Sequence, residues 1–179
     1  RQWIRQLGTS VSEKANAVAV DGSGNVYVAG NTAGGLDGNI NAGFNDAFLV
    51  KYDTDGAKQW TRQFGTDIEE VATSVAVDID GDIFVAGYVE IPVGGVIGDG
   101  DRDMFVAKYG SDGAWVWTRQ LGSAGIDVAR GVATDSGGNV YVAGYTDGNL
   151  DGNITAGITD MFITKYNTSG GKQWTKQLG

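Results

Sequence analysis

A phrase centred on tryptophan recurs every 57 residues along this chain of 179 residues. Its four copies begin at Trp3, Trp60, Trp117 and Trp174, and each continues through a basic residue and a glutamine to a glycine. A fixed period of this length indicates a tandem repeat, in which one unit recurs and buries its faces against its neighbours. We therefore divide the chain into repeats at residues 9–65, 66–122 and 123–179. Residues 1–8 are then an extra outer strand that belongs to a preceding repeat.

Each repeat contains four strand-like phrases, which in the first repeat are residues 15–20, 25–29, 47–52 and 58–64. Short links rich in aspartate and glycine, residues 21–24 and 53–56, join the first phrase to the second and the third to the fourth. Such links are typical of β-hairpins, so the joined strands should be antiparallel. No segment shows an apolar stripe of helical period. The sequence therefore predicts an all-β fold of three four-stranded antiparallel repeats.

The four strands of a repeat differ in how apolar their faces are. The second, residues 26–29, is apolar on both alternating faces, as in strands that are covered on both sides. The fourth has a wholly polar face, made by Gln59, Thr61 and Gln63, that we expect to meet solvent. A sheet whose first strands are buried on both faces and whose last strand meets solvent fits a blade of a β-propeller. In a β-sandwich, most strands would have one polar face that is exposed to solvent.

Comparison of the three repeats shows which residues recur. Small alanines recur in the first strand, glycines at the end of the second, and aromatic residues in the third. We expect the alanines to fit the taper near the axis, the glycines to let the chain leave the sheet, and the aromatic residues to pack between blades. These residues are Ala15, Ala72 and Ala129; Gly30, Gly87 and Gly144; Phe48, Phe105 and Phe162; and Tyr52, Tyr109 and Tyr166.

Composition excludes several kinds of chemistry. The chain has no cysteine and no histidine, which rules out disulfides, thiolate and imidazole metal sites, and catalytic triads built on histidine. A net charge of −9 argues against a nucleic-acid partner. Ten of the thirteen basic residues lie in two recurring strand phrases. No apolar run approaches the roughly 20 residues of a membrane span.

The repeat resembles a known family. Residues 18–30 read Val-Ala-Val-Asp-Gly-Ser-Gly-Asn-Val-Tyr-Val-Ala-Gly, residues 46–53 read Asp-Ala-Phe-Leu-Val-Lys-Tyr-Asp, and residues 135–144 repeat the second part of the first phrase. On these residues the chain is similar to the bacterial β-propeller repeats abbreviated SBBP, for seven-bladed β-propeller. The resemblance implies secreted or cell-surface bacterial proteins, often large and multidomain, and it implies no catalytic residues.

The long link between the second and third strands is where polar side chains accumulate. In the first and third repeats, carboxylate and amide oxygens alternate along it, as in the first half of a calcium loop. The second repeat lacks the early ligands but has three aspartates at the end of its link. The candidate metal ligands are Asp37, Asn39, Asn41, Asp46, Asp99, Asp101, Asp103, Asp151, Asn153 and Asp160. The alternative is a link whose side chains bond to their own backbone, as in Asx-turns.

Three blades do not close a ring, since closed propellers have 4–8 blades. The two end blades would each expose a broad apolar face, beyond what soluble monomers usually show. We therefore expect the 179 residues to be an internal segment of a longer array. In the other arrangement, two copies associate and their two sets of three blades complete a ring.

The sequence thus favours a non-catalytic extracellular scaffold or recognition surface, with calcium as a candidate stabiliser. Its partners would be other repeats, further copies of the chain, a protein or a glycan. The alternative is a propeller that binds or cleaves carbohydrate, with Asp99, Asp101 or Asp103 as acid and base. Tryptophans stacked on sugars would support carbohydrate binding, but we expect Trp60 to pack against the neighbouring blade. One unequal set of polar residues lining a pocket would indicate an enzyme, whereas equivalent loops indicate a scaffold.

Overall fold

The computed structural model of this chain describes residues 3–90 and 102–179, and its strands form three antiparallel sheets of four. Each sheet coincides with one repeat, and we call residues 9–65, 66–122 and 123–179 blades 1, 2 and 3. The strands of blade 1 are β1 (Glu13–Val20), β2 (Val26–Thr32), β3 (Asp46–Tyr52) and β4 (Lys58–Phe64); those of blade 2 are β5 (Glu70–Val77), β6 (Ile83–Val89), β7 (Asp103–Tyr109) and β8 (Trp115–Leu121); those of blade 3 are β9 (Asp127–Thr134), β10 (Val140–Thr146), β11 (Asp160–Tyr166) and β12 (Lys172–Leu178). The strands of each sheet pair in sequence order, which confirms the predicted all-β fold of three four-stranded antiparallel sheets. Within the described ranges, no helix has the length and hydropathy to cross a bilayer.

The blades stack face to face. Tyr27 and Leu49 in blade 1 belong to one buried cluster with Val85, Phe105 and Tyr109 in blade 2. The same faces meet again between blades 2 and 3, where the clustered side chains include Phe84, Met104, Trp117, Val142, Phe162 and Tyr166. The first strands lie side by side, β1 against β5 and β5 against β9, so they line a common axis. The aromatic residues of β7 and β11 therefore pack between blades, as predicted, whereas Phe48 and Tyr52 of β3 lie on the open face of blade 1.

The polar face of the outer strands is covered more than the sequence predicts. Gln59 is exposed, but Thr61 is buried and Gln63 is partly buried. The cause is the link between the second and third strands, which folds back over this face. The amide of Gln63 donates to Asp46 at 2.9 Å, and its oxygen accepts the backbone N–H of Leu36 at 2.9 Å. The prediction of a wholly solvated face is therefore wrong for Thr61 and Gln63.

The recurring glycines lie inside the second strands and do not end them. β6 continues for two residues beyond Gly87, and a Cβ on Gly87 would lie 1.9 Å from the carbonyl oxygen of Val71. Gly30 and Gly144 are equally crowded, with a Cβ at 1.8 Å and 1.9 Å from a carbonyl oxygen of the adjacent first strand. The prediction that these glycines let the chain leave the sheet is wrong. They make room for the backbone of the first strand.

This crowding accompanies a β-bulge in each first strand. Asn16, Thr73 and Arg130 have no partner in the ladder to the second strand, so the register shifts at each of them. A bulge bends its strand and re-aims the side chain of the extra residue. Asn16 donates to the carbonyl of Ala72 at 2.9 Å, and Thr73 donates to that of Ala129 at 2.7 Å. The bulges of blades 1 and 2 thus tie each first strand to the next blade.

Residues 3–8 pack on the open face of blade 1 in the way that an outer strand packs on the next blade. The Trp3 ring stacks on Tyr52 with the ring centroids 6.3 Å apart, and the Nε of Arg5 donates to the carbonyl of Gly56 at 2.7 Å. Arg62 makes the corresponding bond to blade 2, also at 2.7 Å. Residues 3–8 form no strand with other described residues. An outer strand needs the third strand of its own blade as its ladder partner.

Candidate functional site

Asp37, the first predicted metal ligand, is held by side chains of its own blade. It lies in a short 3-10 helix (Leu36–Gly38) with a φ of 52°, a left-handed conformation that aspartate tolerates better than most residues. Its carboxylate pairs with the Lys58 ammonium and accepts a hydrogen bond from the Thr61 hydroxyl. Partial burial opposes the charge of Asp37, but these two partners outweigh that cost and lower its pKa. Asp151 in blade 3 has the corresponding lysine and threonine partners.

The amide ligands predicted in the same links also bond locally. The amide of Asn39 donates to the carbonyl of Leu36 at 2.6 Å, and that of Asn153 donates to the carbonyl of Leu150 at 2.8 Å. The side-chain oxygen of Asn41 accepts the backbone N–H two residues ahead at 3.1 Å. Hydrogen bonds between a side chain and the backbone of its own link are the ones that we expect if the links form Asx-turns.

The recurring aspartate at the start of the third strand is buried. Asp46, Asp103 and Asp160 are 1 %, 3 % and 2 % exposed. They accept the amide of the outer-strand glutamine of their blade at 2.9, 2.8 and 2.9 Å. Asp46 and Asp160 also accept a backbone N–H group of the preceding link. These carboxylates connect the link or the third strand to the outer strand and are closed to a substrate.

The predicted ligands that the structure describes are thus engaged in bonds within their own blades. Within residues 3–90 and 102–179, no group of three or more acidic side chains is placed to hold a metal ion. Asp99 and Asp101 lie outside these described residues. Calcium binding by the links stays a prediction.

Blade 2 replaces the ion pair of the other blades by an exposed tryptophan. Its sequence has Gly94 and Trp115 at the positions of the paired aspartate and lysine. The Trp115 indole donates to the hydroxyl of Thr118 at 3.0 Å, so it bonds to the threonine that the aspartate holds elsewhere. Trp115 is 63 % exposed, and Val116 beside it is 48 % exposed. Blade 2 therefore presents apolar side chains on its outer edge where blades 1 and 3 present an ion pair.

A second set of carboxylates, at the start of each first strand, is absent from the sequence predictions. Glu70 and Asp127 are fully buried and accept the backbone N–H of Thr66 at 2.8 Å and of Ser123 at 2.6 Å. Burial raises the pKa of both carboxyl groups. The available signal was an acid every 57 residues, at Glu13, Glu70 and Asp127, with a hydroxyl residue four positions before it. Glu70 and Asp127 hold the connections between successive blades.

A cleft of 540 Å³ opens at the axis, near the starts of the first strands and the ends of the second strands. Its lining comes from all three blades and is polar apart from two valines. Its volume lies within the roughly 300–1,000 Å³ of small-molecule sites. The bulge residues Asn16, Thr73 and Arg130 all belong to the lining. The β-bulges, which require the recurring glycines, therefore also direct the side chains of these three residues toward the axis.

A chain of hydrogen bonds runs along this cleft to one carboxylate. Asn16 donates to Asn31 at 3.2 Å, Asn31 donates to Asn45 at 3.2 Å, and Asn45 donates to Glu69 at 3.0 Å. Glu69 also accepts the hydroxyl of Tyr88 at 3.2 Å. Burial, together with the charge of Glu69, raises the pKa of Tyr88. Amides in such a chain polarise one another, which holds their orientation.

Arg102 sits at the junction of blades 2 and 3. Its guanidinium lies 3.1 Å from Glu90 and 3.5 Å from Glu69, and it covers the ring of Tyr88 at 4.8 Å from the centroid. Its backbone forms a parallel bridge with Ile126, just before β9. Arg102 is therefore fixed by contacts within the protein.

Several residues that line the cleft differ between the three blades. The bulge residue is asparagine, threonine and arginine in blades 1, 2 and 3, and the residue before the third strand is Asn45, Arg102 and Thr159. The interfaces between blades instead keep their alanines, glycines and tryptophans. Recurrence identifies the residues of the interfaces and therefore does not identify this set. A search for polar residues that differ at equivalent positions would have found it.

Comparisons with known proteins agree with this architecture. The model of a family described as SBBP, a β-propeller repeat, matches residues 2–37, 59–88 and 116–151. The chain is 24 % identical to the uncharacterized WD repeat-containing protein L264 of Acanthamoeba polyphaga mimivirus, over 99 % of this chain and 16 % of that protein. It is 31 % identical to the regulatory protein FlaEY of Caulobacter vibrioides, over 93 % of this chain and 19 % of that protein. The chain thus spans less than a fifth of the length of these relatives.

One solved structure, described as a crystal structure of the eukaryotic initiation factor, matches with a TM-score of 0.55. The match covers 99 % of this chain and 35 % of that chain. The two sequences are 8 % identical, so the likeness concerns the fold alone.

Proposed function

Because the chain belongs to the SBBP family of β-propeller repeats, we propose that it is a non-catalytic repeat scaffold with a recognition surface at its axis. Its blades would continue into further blades of the same kind. The observation that carries this proposal is a division of residues. The recurring alanines, glycines and tryptophans build the interfaces between blades, whereas the bulge residues, which differ from blade to blade, meet in the axial cleft.

The open face of blade 3 has the residues that are buried between the inner blades. Trp174 is 37 % exposed, whereas Trp117 at the equivalent position is 6 % exposed. Met161 is 54 % exposed, and its equivalent Met104 is fully buried. Exposed apolar faces of this kind mark interaction sites on soluble proteins. A further blade would cover this face as blade 3 covers blade 2.

The open face of blade 1 is partly occupied. Val18 on β1 is 65 % exposed, whereas its equivalent Val75 is 8 % exposed between blades 1 and 2. Farther from the axis, residues 3–8 cover Tyr52 in the place of an outer strand. A second copy could dock its blade 3 here only after residues 3–8 had moved away. This favours an array in which further blades of the same chain follow, rather than the association of two copies of residues 1–179.

The axial cleft supports recognition better than cleavage. An unequal set of polar residues is also what an active site would show. However, the part of the lining that the structure describes has a single carboxylate, Glu69, and most glycoside hydrolases use two. Asp103, the described member of the predicted acid–base set, is buried and bonded to Gln120. Trp117 is buried between blades 2 and 3, and Trp60 is partly buried against blade 2, so both rings are engaged in packing.

Removal of residues 1–8 is expected to make the chain self-associate. The chain of residues 9–179 exposes the face of blade 1 that Trp3 and Arg5 cover, and blade 3 of a second copy fits it. Mass photometry and sedimentation velocity at micromolar concentration should show oligomers. The matched control is the same chain with Trp174→Asp, which should remain monomeric. A folded, monomeric chain of residues 9–179 would count against the proposed stacking.

We also propose calcium as a ligand of the links in blades 1 and 3, a proposal that the alternating side-chain oxygens support. A ligand of the native state raises Tm by mass action. Millimolar calcium should therefore raise Tm relative to EDTA, and the double variant Asp37→Asn, Asp151→Asn should lose most of that rise. An unchanged Tm would leave these carboxylates with only their roles as lysine partners.

A secreted or cell-surface location is a further part of the proposal, supported by the family resemblance. It is tested by adding protease to intact source cells and following the chain with an antiserum. We expect the chain to be degraded while the cells are intact. Protection until the cells are lysed would contradict this location.

A further inference from the structure

The three basic residues outside the repeated strand phrases, Lys14, Arg102 and Arg130, all line the axial cleft. The other ten belong to phrases that recur from blade to blade. Several of these stack over aromatic rings, as Arg62 does over Trp60 at 5.2 Å. A basic residue present in only one blade is not required by the packing of the repeat. Its convergence with two others on one cleft needs a separate explanation.

The cleft is basic although the chain is strongly acidic. The whole chain has a net charge of −9. Among the residues that the structure describes, the lining has three basic side chains and one acidic side chain, Glu69. Concave walls of low dielectric focus the field of such charges. An anion is therefore attracted to the axis, while the rest of the acidic surface repels it.

Lys14 and Arg130 are the two charges left for a ligand, because Arg102 is already paired with Glu69 and Glu90. Lys14 and Arg130 are exposed, and neither forms an ion pair with the residues that the structure describes. Lys14 lies on β1 and Arg130 on β9, the neighbours of β5 on its two sides. A ligand between them meets one positive charge from blade 1 and one from blade 3.

We propose that the axial cleft binds a small anion with a carboxylate or phosphate group, and that Lys14 and Arg130 are its charged contacts. The planar guanidinium of Arg130 presents parallel N–H donors to such a group, and the ammonium of Lys14 presents a compact charge. The ring of Tyr145 lies 5.4 Å from the Arg130 guanidinium and supports it. The volume of 540 Å³ suits a small molecule. This inference rests on the recognition part of the proposed function.

The test uses the 179-residue chain and isothermal titration at constant ionic strength, so that general screening does not vary. The probes are succinate, inorganic phosphate and succinamide, the last being the uncharged counterpart of succinate. The variants are Lys14→Gln with Arg130→Gln, and Lys176→Gln as the control. Lys176 is an exposed base on β12 that is not part of the cleft lining, so the control removes a positive charge elsewhere.

At least one of the two anions is expected to bind, and succinamide is not. The double variant should raise Kd about tenfold or more, as the loss of charge-assisted hydrogen bonds implies. The control should bind as the unaltered chain does. The anion that binds more tightly shows whether the cleft prefers a carboxylate or a phosphate group. The proposal is overturned if neither anion binds, if succinamide binds equally well, or if the double variant binds normally. The association of residues 9–179 is measured separately, so failure here leaves the scaffold proposal intact.

Discussion

Replacing Trp117 by alanine is expected to lower the free energy of unfolding by about 4 kcal/mol. Trp117 is 6 % exposed and belongs to the cluster that joins blades 2 and 3. Its ring lies 6.1 Å from that of Phe84, and the guanidinium of Arg119 lies 5.2 Å from its centroid. A Cβ on Gly170 would approach the ring to 2.9 Å, so blade 3 packs closely against it. Truncation removes these contacts and leaves a cavity between blades.

Trp174→Ala is the matched control for this prediction. Trp174 has the same place in its repeat but is 37 % exposed, because no described blade covers it. Its truncation should cost about 1 kcal/mol, since less apolar area is returned to water. Urea denaturation of both variants at low protein concentration measures the two values. Equal costs at the two positions would contradict the assignment of Trp117 to a blade interface.

Gly87→Ala is expected to lower the free energy of unfolding by about 3 kcal/mol. The new Cβ would lie 1.9 Å from the carbonyl oxygen of Val71 and 2.9 Å from the ring of Phe105. The first of these contacts is to backbone, so relief requires the bulge at Thr73 to shift. That shift would also disturb the bond from Thr73 to the carbonyl of Ala129 in blade 3. The substitution therefore strains both a strand ladder and a blade interface.

Gly131→Ala on β9 is the control for the glycine prediction. Nothing lies within 4 Å of a Cβ at this position, and its backbone φ is not in the left-handed region. Alanine there should change the free energy of unfolding by about 0.5 kcal/mol or less. Chemical denaturation of the two variants provides the comparison. A Gly87→Ala variant as stable as Gly131→Ala would show that the recurring glycine does not make room for the first strand.

Local pattern and repetition were enough to predict the strands. Apolar alternation and glycine-bearing turns placed the first copy's strands within two or three residues of β1–β4. The packing of Trp60 and Phe105 between blades also followed from the sequence. An apolar residue that recurs in every repeat has to be buried against the neighbouring repeat each time. These inferences depend on residues within one blade and on its nearest neighbour.

The features that sequence analysis missed depend on how separate segments meet. The bulge opposite Gly87 cannot be seen in the alternation of β6, since the extra residue lies on β5. The burial of Thr61 depends on a link that folds back from another part of the blade. The axial cleft combines residues from three blades that are distant in the sequence, and its bulge residues differ between copies. A search for recurrence is therefore directed away from it.

The recurring interface is tested most directly by a disulfide between copies. Asn45 bridges to Glu69 and Arg102 to Ile126, and the equivalent positions at the open ends are Thr159 and Ser12. The chain has no cysteine of its own, so Ser12→Cys with Thr159→Cys in residues 9–179 gives one defined pair. Residues across a β-bridge lie within the roughly 4.4–6.8 Å Cα separation of a disulfide.

Under mild oxidation, this pair is expected to give disulfide-linked oligomers on non-reducing gels. The control is Thr159→Cys with Ile79→Cys, because Ile79 is 84 % exposed at a hairpin tip away from the stacking faces. It should give only background cross-linking. If the Ser12 and Thr159 pair formed no more oligomers than this control, blade 3 of one copy would not dock on blade 1 of another in the register seen between the blades.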